Sequence, residues 1–144
     1  MIISSKGRYA LRVMLELAQY GGDGAYIRLG DIAQRQGISE KYLESIVKLL
    51  VKANLLSGLR GKGGGYKLTK SPDLYTVGGI LRLTEDSLAP VSCIDQGPES
   101  CPHMAECRTL AMWQGLAKII NEYLDGITIT DLMKSGTAGD FYVI

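Results

Sequence analysis

Three cysteines and the single histidine fall within residues 93–107: Cys93, Cys101, His103 and Cys107, in the spacing Cys-x7-Cys-x5-Cys. A disulfide framework would spread an even number of cysteines along a secreted chain, so a clustered odd set points instead to metal binding or thiol redox chemistry. Thiolates are soft ligands that suit zinc, copper(I) or iron–sulfur clusters. Structural zinc sites bring cysteines in closely spaced pairs, which are missing here, whereas wide spacing on a loop suits wrapping a larger, multi-atom cluster. A zinc site and a metal-free redox switch stay open as alternatives. A cluster takes four ligands, and three thiols leave one position over. His103 is the nearest candidate, with Glu106, Asp95 or an external thiol or water as the others. One histidine and no nucleophile–base constellation give no support to a hydrolase or transferase. An electron carrier would ligate with four cysteines and has no need of the segments described next.

Charge divides the chain. Residues 1–70 carry a balance of +7 and residues 71–144 a balance of −6, which together make the net +1. A basic front joined to an acidic, thiol-bearing back suggests that one end meets a polyanion. At 144 residues, 46% hydrophobic and 22% charged, the chain has room for one domain, or one small domain plus an extension, and is too apolar for disorder. No stretch reaches the roughly 18 apolar residues of a membrane span. Residues 1–8 lack the long apolar segment of a secretory signal. The expected location is the cytoplasm, with no membrane partner and no small-molecule substrate.

The elements that would position these residues can be read from periodicity. Ala10, Val13, Met14, Leu17 and Ala18 form one apolar stripe, predicting a helix over 7–20. Residues 26–28 suit a short strand. A second helix over 29–36 faces inward with Leu29, Ile32 and Ala33. Gly37-Ile38 makes a tight turn, and Ser39 is placed to cap a third helix over 40–53 with Leu43, Ile46, Val47 and Leu50 inside. This is a helix-turn-helix, and its second helix would enter a DNA major groove with its early polar residues toward the bases. Candidates for base contact are Ser39, Glu40, Lys41, Tyr42, Glu44, Ser45 and Lys48. Residues 55–60 and 66–69 read as two strands joined by the basic glycine loop Gly61-Lys62-Gly63-Gly64-Gly65, the wing of a winged helix. Arg60 and Lys62 suit a narrow minor groove. Lys6, Arg8, Arg28, Lys62 and Lys67 are candidates for phosphates. No GxxxxGK[ST] phosphate loop is present.

In the back half, Thr76 caps a short helix over 77–83, and residues 84–107 show no period and carry the cysteines. A loop that long inside a compact domain is usually functional or disordered. The longest helix spans 108–126 and has two apolar stripes. Leu110, Trp113, Ala117, Ile120 and Leu124 form one; Met112, Leu116, Ile119 and Tyr123 form the other. One stripe can pack on its own domain; the second needs a partner, and a homodimer with a symmetric interface is expected. Thr128-x-x-Asp131 caps a last helix through residue 133. The expected organisation is a winged helix-turn-helix domain over 1–83, a cluster-binding loop over 84–107, a dimerisation helix and short helix over 108–134, and a tail over 135–144. Its apolar end, 141–144, would dock on the dimer or a neighbour. The fold class is mainly α with a small β-wing. Two such modules in a dimer would prefer double-stranded DNA with a two-fold-symmetric operator.

Ser4-Ser5-Lys6-Gly7-Arg8-Tyr9-Ala10, Gly37-Ile38-Ser39 followed by Tyr42-Leu43-Glu44, and Arg60-Gly61-x-Gly63-Gly64-Gly65-Tyr66 stand in an order and spacing that resemble the IscR family of iron–sulfur regulators. That family includes the nitric-oxide-sensing NsrR, the iron regulator RirA and the cysteine-metabolism regulator CymR, and the likeness runs over about residues 1–133. It implies a homodimeric winged-helix transcription factor that senses an iron–sulfur cluster and controls cluster-biogenesis genes, or else senses iron or nitric oxide. It implies that Cys93, Cys101 and Cys107, in a spacing like that of RirA, hold the cluster, with [2Fe–2S] favoured over [4Fe–4S]. The chain departs from its relatives at the fourth ligand. Leu110 stands where IscR-type proteins have a histidine, and Arg8 where NsrR-type proteins have an aspartate from the partner subunit. In IscR-like proteins a glutamate matching Glu44 helps reject some operators when the cluster is absent.

Overall fold

The computed structural model describes residues 1–135. Seven α-helices and one two-stranded sheet follow in the order α1 (Ser5–Tyr20), α2 (Leu29–Gln36), α3 (Glu40–Lys52), β1 (Leu56–Leu59), β2 (Gly65–Leu68), α4 (Val77–Thr84), α5 (Ser92–Gln96), α6 (Leu110–Asp125) and α7 (Ile129–Lys134). Every residue of the stripes expected for the first three helices is buried, and together they make the main core with Leu56, Tyr75, Ile80 and Ile129. Short side chains (Ala10, Ala18, Ala33) alternate with Met14, Leu17, Ile32 and Leu50, which lets three helices approach closely around α1.

Helix α1 starts two residues before the expected position. Ser4 supplies the reason: its Oγ accepts a hydrogen bond from the Gly7 amide at 3.1 Å and caps the helix. Ser39 caps α3 in the same way through the Tyr42 amide, as expected. The turn between α2 and α3 places Gly37 at φ 64°, a left-handed C-cap that glycine adopts without a Cβ clash.

The wing is an antiparallel pair with Leu56 opposite Leu68 and Leu59 opposite Gly65. The strand expected at 26–28 is a correction: only Ile27 pairs, giving its amide to the Tyr66 carbonyl at 2.9 Å and accepting the Tyr66 amide at 2.8 Å. Gly65 is required by that contact, since a Cβ there would lie 2.2 Å from the Ile27 carbonyl oxygen. Tyr75, buried, fastens the wing's base. Its hydroxyl donates to the Leu55 carbonyl at 2.8 Å and accepts from the amides of Thr69 and Lys70.

The cysteine segment also needs correction. Residues 84–107 contain α5 and two single 3-10 turns, Pro98–Ser100 and Met104–Glu106. Elements of three to five residues are shorter than the windows in which periodicity can be counted. Helix α6 begins at Leu110 rather than 108. Its inner stripe turns toward the body of the chain, where Leu124 packs on Val77, Leu81 and Leu88. Arg82 on α4 pairs with Asp125 at 2.7 Å and reaches Asn121, tying α4 to α6. Helix α7, capped by a reciprocal Thr128–Asp131 box, then returns to α1 and inserts Ile129 into the main core. Residues 136–144, with the apolar run 141–144, lie outside the described residues.

Candidate nucleic-acid interface and cysteine segment

The first turn of α3 meets the first turn of α1. Tyr42 Oη lies 3.2 Å from Ser5 Oγ, and the Tyr42 ring stacks edge-on against Tyr9 with centroids 5.8 Å apart. Tyr42 is therefore half-buried, with its hydroxyl partnered inside the protein. Around it Glu40, Lys41, Glu44, Ser45 and Lys48 are exposed on the outer face of α3. Two of the expected base readers have divided roles. Ser39 Oγ accepts the Tyr42 amide as the cap and keeps its proton and one lone pair, and Ser45 Oγ donates to the Tyr42 carbonyl at 2.7 Å, leaving its oxygen as an acceptor. Lys6 is half-buried and Arg8 exposed, both in the α1 turn that contacts α3.

Farther along α3, Lys48 and Lys52 flank a groove of about 610 Å³ whose other wall is Leu59, Arg60, Gly61 and Tyr66 of the wing. Three cations and no carboxylate line it. Gly61 and Gly63 carry the wing tip at φ 90° and 79°, a left-handed path closed by the Gly64 amide on the Gly61 carbonyl at 3.0 Å. Arg60 and Lys62 are exposed on that tip, and Arg28 is exposed at the start of α2. Lys67 is drawn back toward the segment before α2, its Nζ 4.7 Å from the Tyr26 ring centroid. Lys52 and Leu59 line this groove and are not among the binding candidates that sequence patterning names. Lys52 lies one helical turn beyond Lys48, and that spacing was the available signal.

The cysteine segment presents three free thiols, with Cys93 and Cys101 half-buried and Cys107 exposed. Cys93 borders a small cavity of about 180 Å³ together with Met104 and with Leu110 and Gln114 of α6. The turn between the other two cysteines is held by backbone bonds, Met104 amide to Cys101 carbonyl and Cys107 amide to Met104 carbonyl, both 3.2 Å. The Cys107 thiol is held below the ordinary thiol pKa. Its largest cause is the Thr109 hydroxyl 3.4 Å away, followed by the amides of Thr109 and Leu110 at the start of α6. His103 is exposed at the start of the 3-10 turn. Among the described residues, no three of the cysteines, the histidine and the carboxylates come together closely enough to share a metal ion. The donor chemistry suits a soft, multi-atom group; to bind one through all three thiols, the segment must close around it.

Two carboxylates that the pattern did not mark hold the helices. Glu16 is buried on α1 and accepts from Arg35 Nε at 2.8 Å and Gln36 Nε2 at 2.6 Å, pinning α2. Glu85 closes α4 and accepts from both the amide and the hydroxyl of Ser4. No spacing rule links residues 19 or 81 positions apart, so neither pairing has a sequence signal. No helix among the described residues is long and apolar enough to cross a membrane.

Comparison with known proteins agrees with this geometry. The model of the Rrf2 family, described as iron-dependent transcriptional regulators, matches residues 3–135. The HTH-type transcriptional regulator IscR of Aliivibrio salmonicida is 40% identical over 133 residues, which cover 92% of this chain and 77% of that protein. Among solved structures, CymR of B. subtilis, described as its global cysteine regulator, superposes with a TM-score of 0.77 at 36% identity, covering 93% of this chain and 97% of that one. IscR of T. potens superposes with a TM-score of 0.72 at 33% identity, covering 100% and 94%.

Proposed function

We propose, from the premise that the chain belongs to the Rrf2 family of transcriptional regulators, that it binds operator DNA as a homodimer and senses an iron–sulfur cluster held by its cysteine segment. The observation that carries the DNA reading is the groove between α3 and the wing, where Lys48, Lys52 and Arg60 converge with no acid among them. A major-groove helix and a minor-groove wing must straddle one sugar–phosphate strand, and a cation-lined groove between them is what that strand requires. Glu40, Lys41, Glu44, Ser45 and Lys48 face the bases. Lys6, Arg8, Arg28, Arg60 and Lys62 supply phosphate contacts and salt dependence. Ser39 and Tyr42 act chiefly by shaping α3. Glu44, a carboxylate on the reading face, accepts from cytosine N4 and repels other acceptors, so it selects among operators.

The second copy is supported by α6. Met112, Leu116, Ile119 and Tyr123 stay 55%, 38%, 63% and 54% exposed, one continuous apolar stripe on the outer face of a long helix. Packing this stripe on its symmetric counterpart would hide it and set the two reading helices for a two-fold-symmetric operator.

Cys93, Cys101 and Cys107 would hold the cluster, with His103 as the local fourth ligand, and a [2Fe–2S] centre is favoured. A bound cluster would supply a redox- and iron-sensitive clamp for the segment. The chain's own contribution is a Cys107 thiol whose pKa is lowered by the Thr109 hydroxyl, which favours the metal-binding form, and a weak fourth position that lets the cluster be lost. Loss of that clamp would alter control of cluster-biogenesis genes. Absorption of the anaerobically purified chain tests the sensing half. A visible charge-transfer spectrum that disappears in Cys93→Ala supports it; a colourless protein with bound zinc or with bare thiols overturns it. A salt titration of duplex binding tests the other half, with a steep fall in affinity between low and moderate salt expected and indifference to duplex DNA refuting it.

A further inference from the structure

Gly7 lies in the first turn of α1, where backbone geometry asks for no glycine and a side chain would ordinarily be tolerated. What the missing side chain leaves room for is a carboxylate. A Cβ on Gly7 would sit 2.2 Å from Glu85 Oε1, with Leu81 and Thr84 side chains closing the rest of the space at 3.1 Å. Glu85 Oε1 uses that opening to accept the Ser4 amide at 2.8 Å and the Ser4 hydroxyl at 2.9 Å, while Ser4 Oγ in turn accepts the Gly7 amide. A carboxylate thus caps the positive end of α1 from another part of the chain.

Glu85 is the residue at which α4 ends and the cysteine segment begins. Immediately beside the latch, Ser5 Oγ contacts Tyr42 Oη on the reading helix, and Tyr9 packs on the same ring. The geometry points to Glu85 as a positioning residue for DNA recognition. Its carboxylate sets the first turn of α1, and Ser5 and Tyr9 pass that setting to Tyr42 and the first turn of α3. The reading surface is thereby tied to the root of the cysteine segment by the Glu85–Ser4 contact, the backbone of the first turn of α1, and the contacts of Ser5 and Tyr9 with Tyr42. Glu85 touches no DNA in this scheme and acts only through α1.

The inference rests on the DNA-binding reading, and one experiment separates the two. The wild-type chain is used to recover its best duplex from a randomised double-stranded library, and affinity is then measured for that duplex and for a random-sequence duplex of equal length. Glu85→Ala, which removes both hydrogen bonds from Ser4, is expected to weaken the selected duplex by about tenfold, the part of that loss passed on to α3, while binding to the random duplex stays unchanged. Glu85→Gln, whose amide oxygen still accepts from Ser4, is expected to restore most of the selectivity. Adding Ser5→Ala to Glu85→Ala is expected to cost little more, because both interrupt one path. Should Glu85→Ala not fold, Gly7→Ala displaces the same carboxylate and is scored by the same ratio. A variant that keeps the wild-type ratio of the two affinities, or losses that simply add, overturns the inference while leaving DNA binding intact. A wild-type chain that recovers no duplex overturns the DNA-binding reading and this inference with it.

Discussion

Replacing Ile119 with aspartate tests the proposed dimer through its most exposed apolar residue. Ile119 is 63% exposed in the single chain. Burying a whole isoleucine stabilises by about 1.5–3 kcal/mol, so covering the exposed share contributes about 1–2 kcal/mol per copy. Two-fold symmetry doubles every substitution, which makes the lost apolar burial about 2–4 kcal/mol per dimer. Two carboxylates brought toward the same axis add desolvation and mutual repulsion on top. The dimer dissociation constant should rise by about 30-fold to 1,000-fold from the apolar loss alone, at about 1.4 kcal/mol per tenfold. Sedimentation equilibrium over a concentration series reads that shift directly, and the thermal midpoint of the dilute monomer should hardly move because Ile119 belongs to no core. Gln19→Asp, on an exposed position of α1, serves as the control. An Ile119→Asp protein that sediments as a dimer at the wild-type concentration would show that this stripe is not where two copies meet.

Three other expectations follow from the contacts. Cys107 should alkylate faster than Cys93 or Cys101 in the metal-free protein, because its thiol is exposed and its pKa lowered; Thr109→Val removes the largest cause, and mass spectrometry of time-quenched samples should find the Cys107 rate reduced at neutral pH. Arg35→Ala should lower unfolding free energy by about 1–3 kcal/mol in urea, since it leaves buried Glu16 with only the Gln36 partner; an unchanged midpoint would show that water replaces the guanidinium freely. Asp125 is held below the usual carboxylate range by the Arg82 hydrogen bond, so its contribution is complete above the unfolded carboxyl pKa and fades as pH falls through the lower folded value. Asp125→Asn should therefore flatten the acid limb of the stability curve only slightly, the pair being exposed to solvent.

The helix-turn-helix was legible because its information is local. Periodic stripes at Ala10–Ala18 and Leu43–Leu50, the Ser39 cap and the Gly37 turn each lie within one or two helical turns, and all stand where periodicity put them. The wing was equally readable, because glycines at left-handed φ leave a compositional mark. What escaped were contacts between distant residues. Glu85 with Ser4, Glu16 with Arg35 and Gln36, and the Tyr75 hydroxyl at the base of the wing depend on how helices cross, and no window of sequence contains both partners. In the candidate site the same rule holds. The outer face of α3 could be named from spacing alone, whereas the withdrawal of Tyr42 and Lys67 toward Ser5 and Tyr26 could not. The cysteine segment sits between these cases. Its residues are conspicuous, but elements of three to five residues have too few turns to leave a period.

Helix α1 explains why such distant partners matter to the reading surface. Over its 16 residues, about 24 Å at 1.5 Å per residue, it has little freedom to bend. Its first turn is fixed by Glu85 and touches Tyr42, its middle packs against α3 and α4, and Glu16 near its far end holds α2. Both helices of the DNA-reading pair are therefore fastened to one rod at separate points along it. A displacement of the rod at Ser4 meets resistance along its length, because the Ala10, Val13 and Met14 side chains are buried in the core, where close packing opposes local relaxation. A displacement that is not absorbed there must move the pair as a body or break a contact at one end. Of the two end contacts, the Ser5–Tyr42 bond joins half-buried neutral hydroxyls, whereas Glu16 carries a buried charge whose release costs far more. The reading helix is thus the end that yields first, and it is the end next to the root of the cysteine segment.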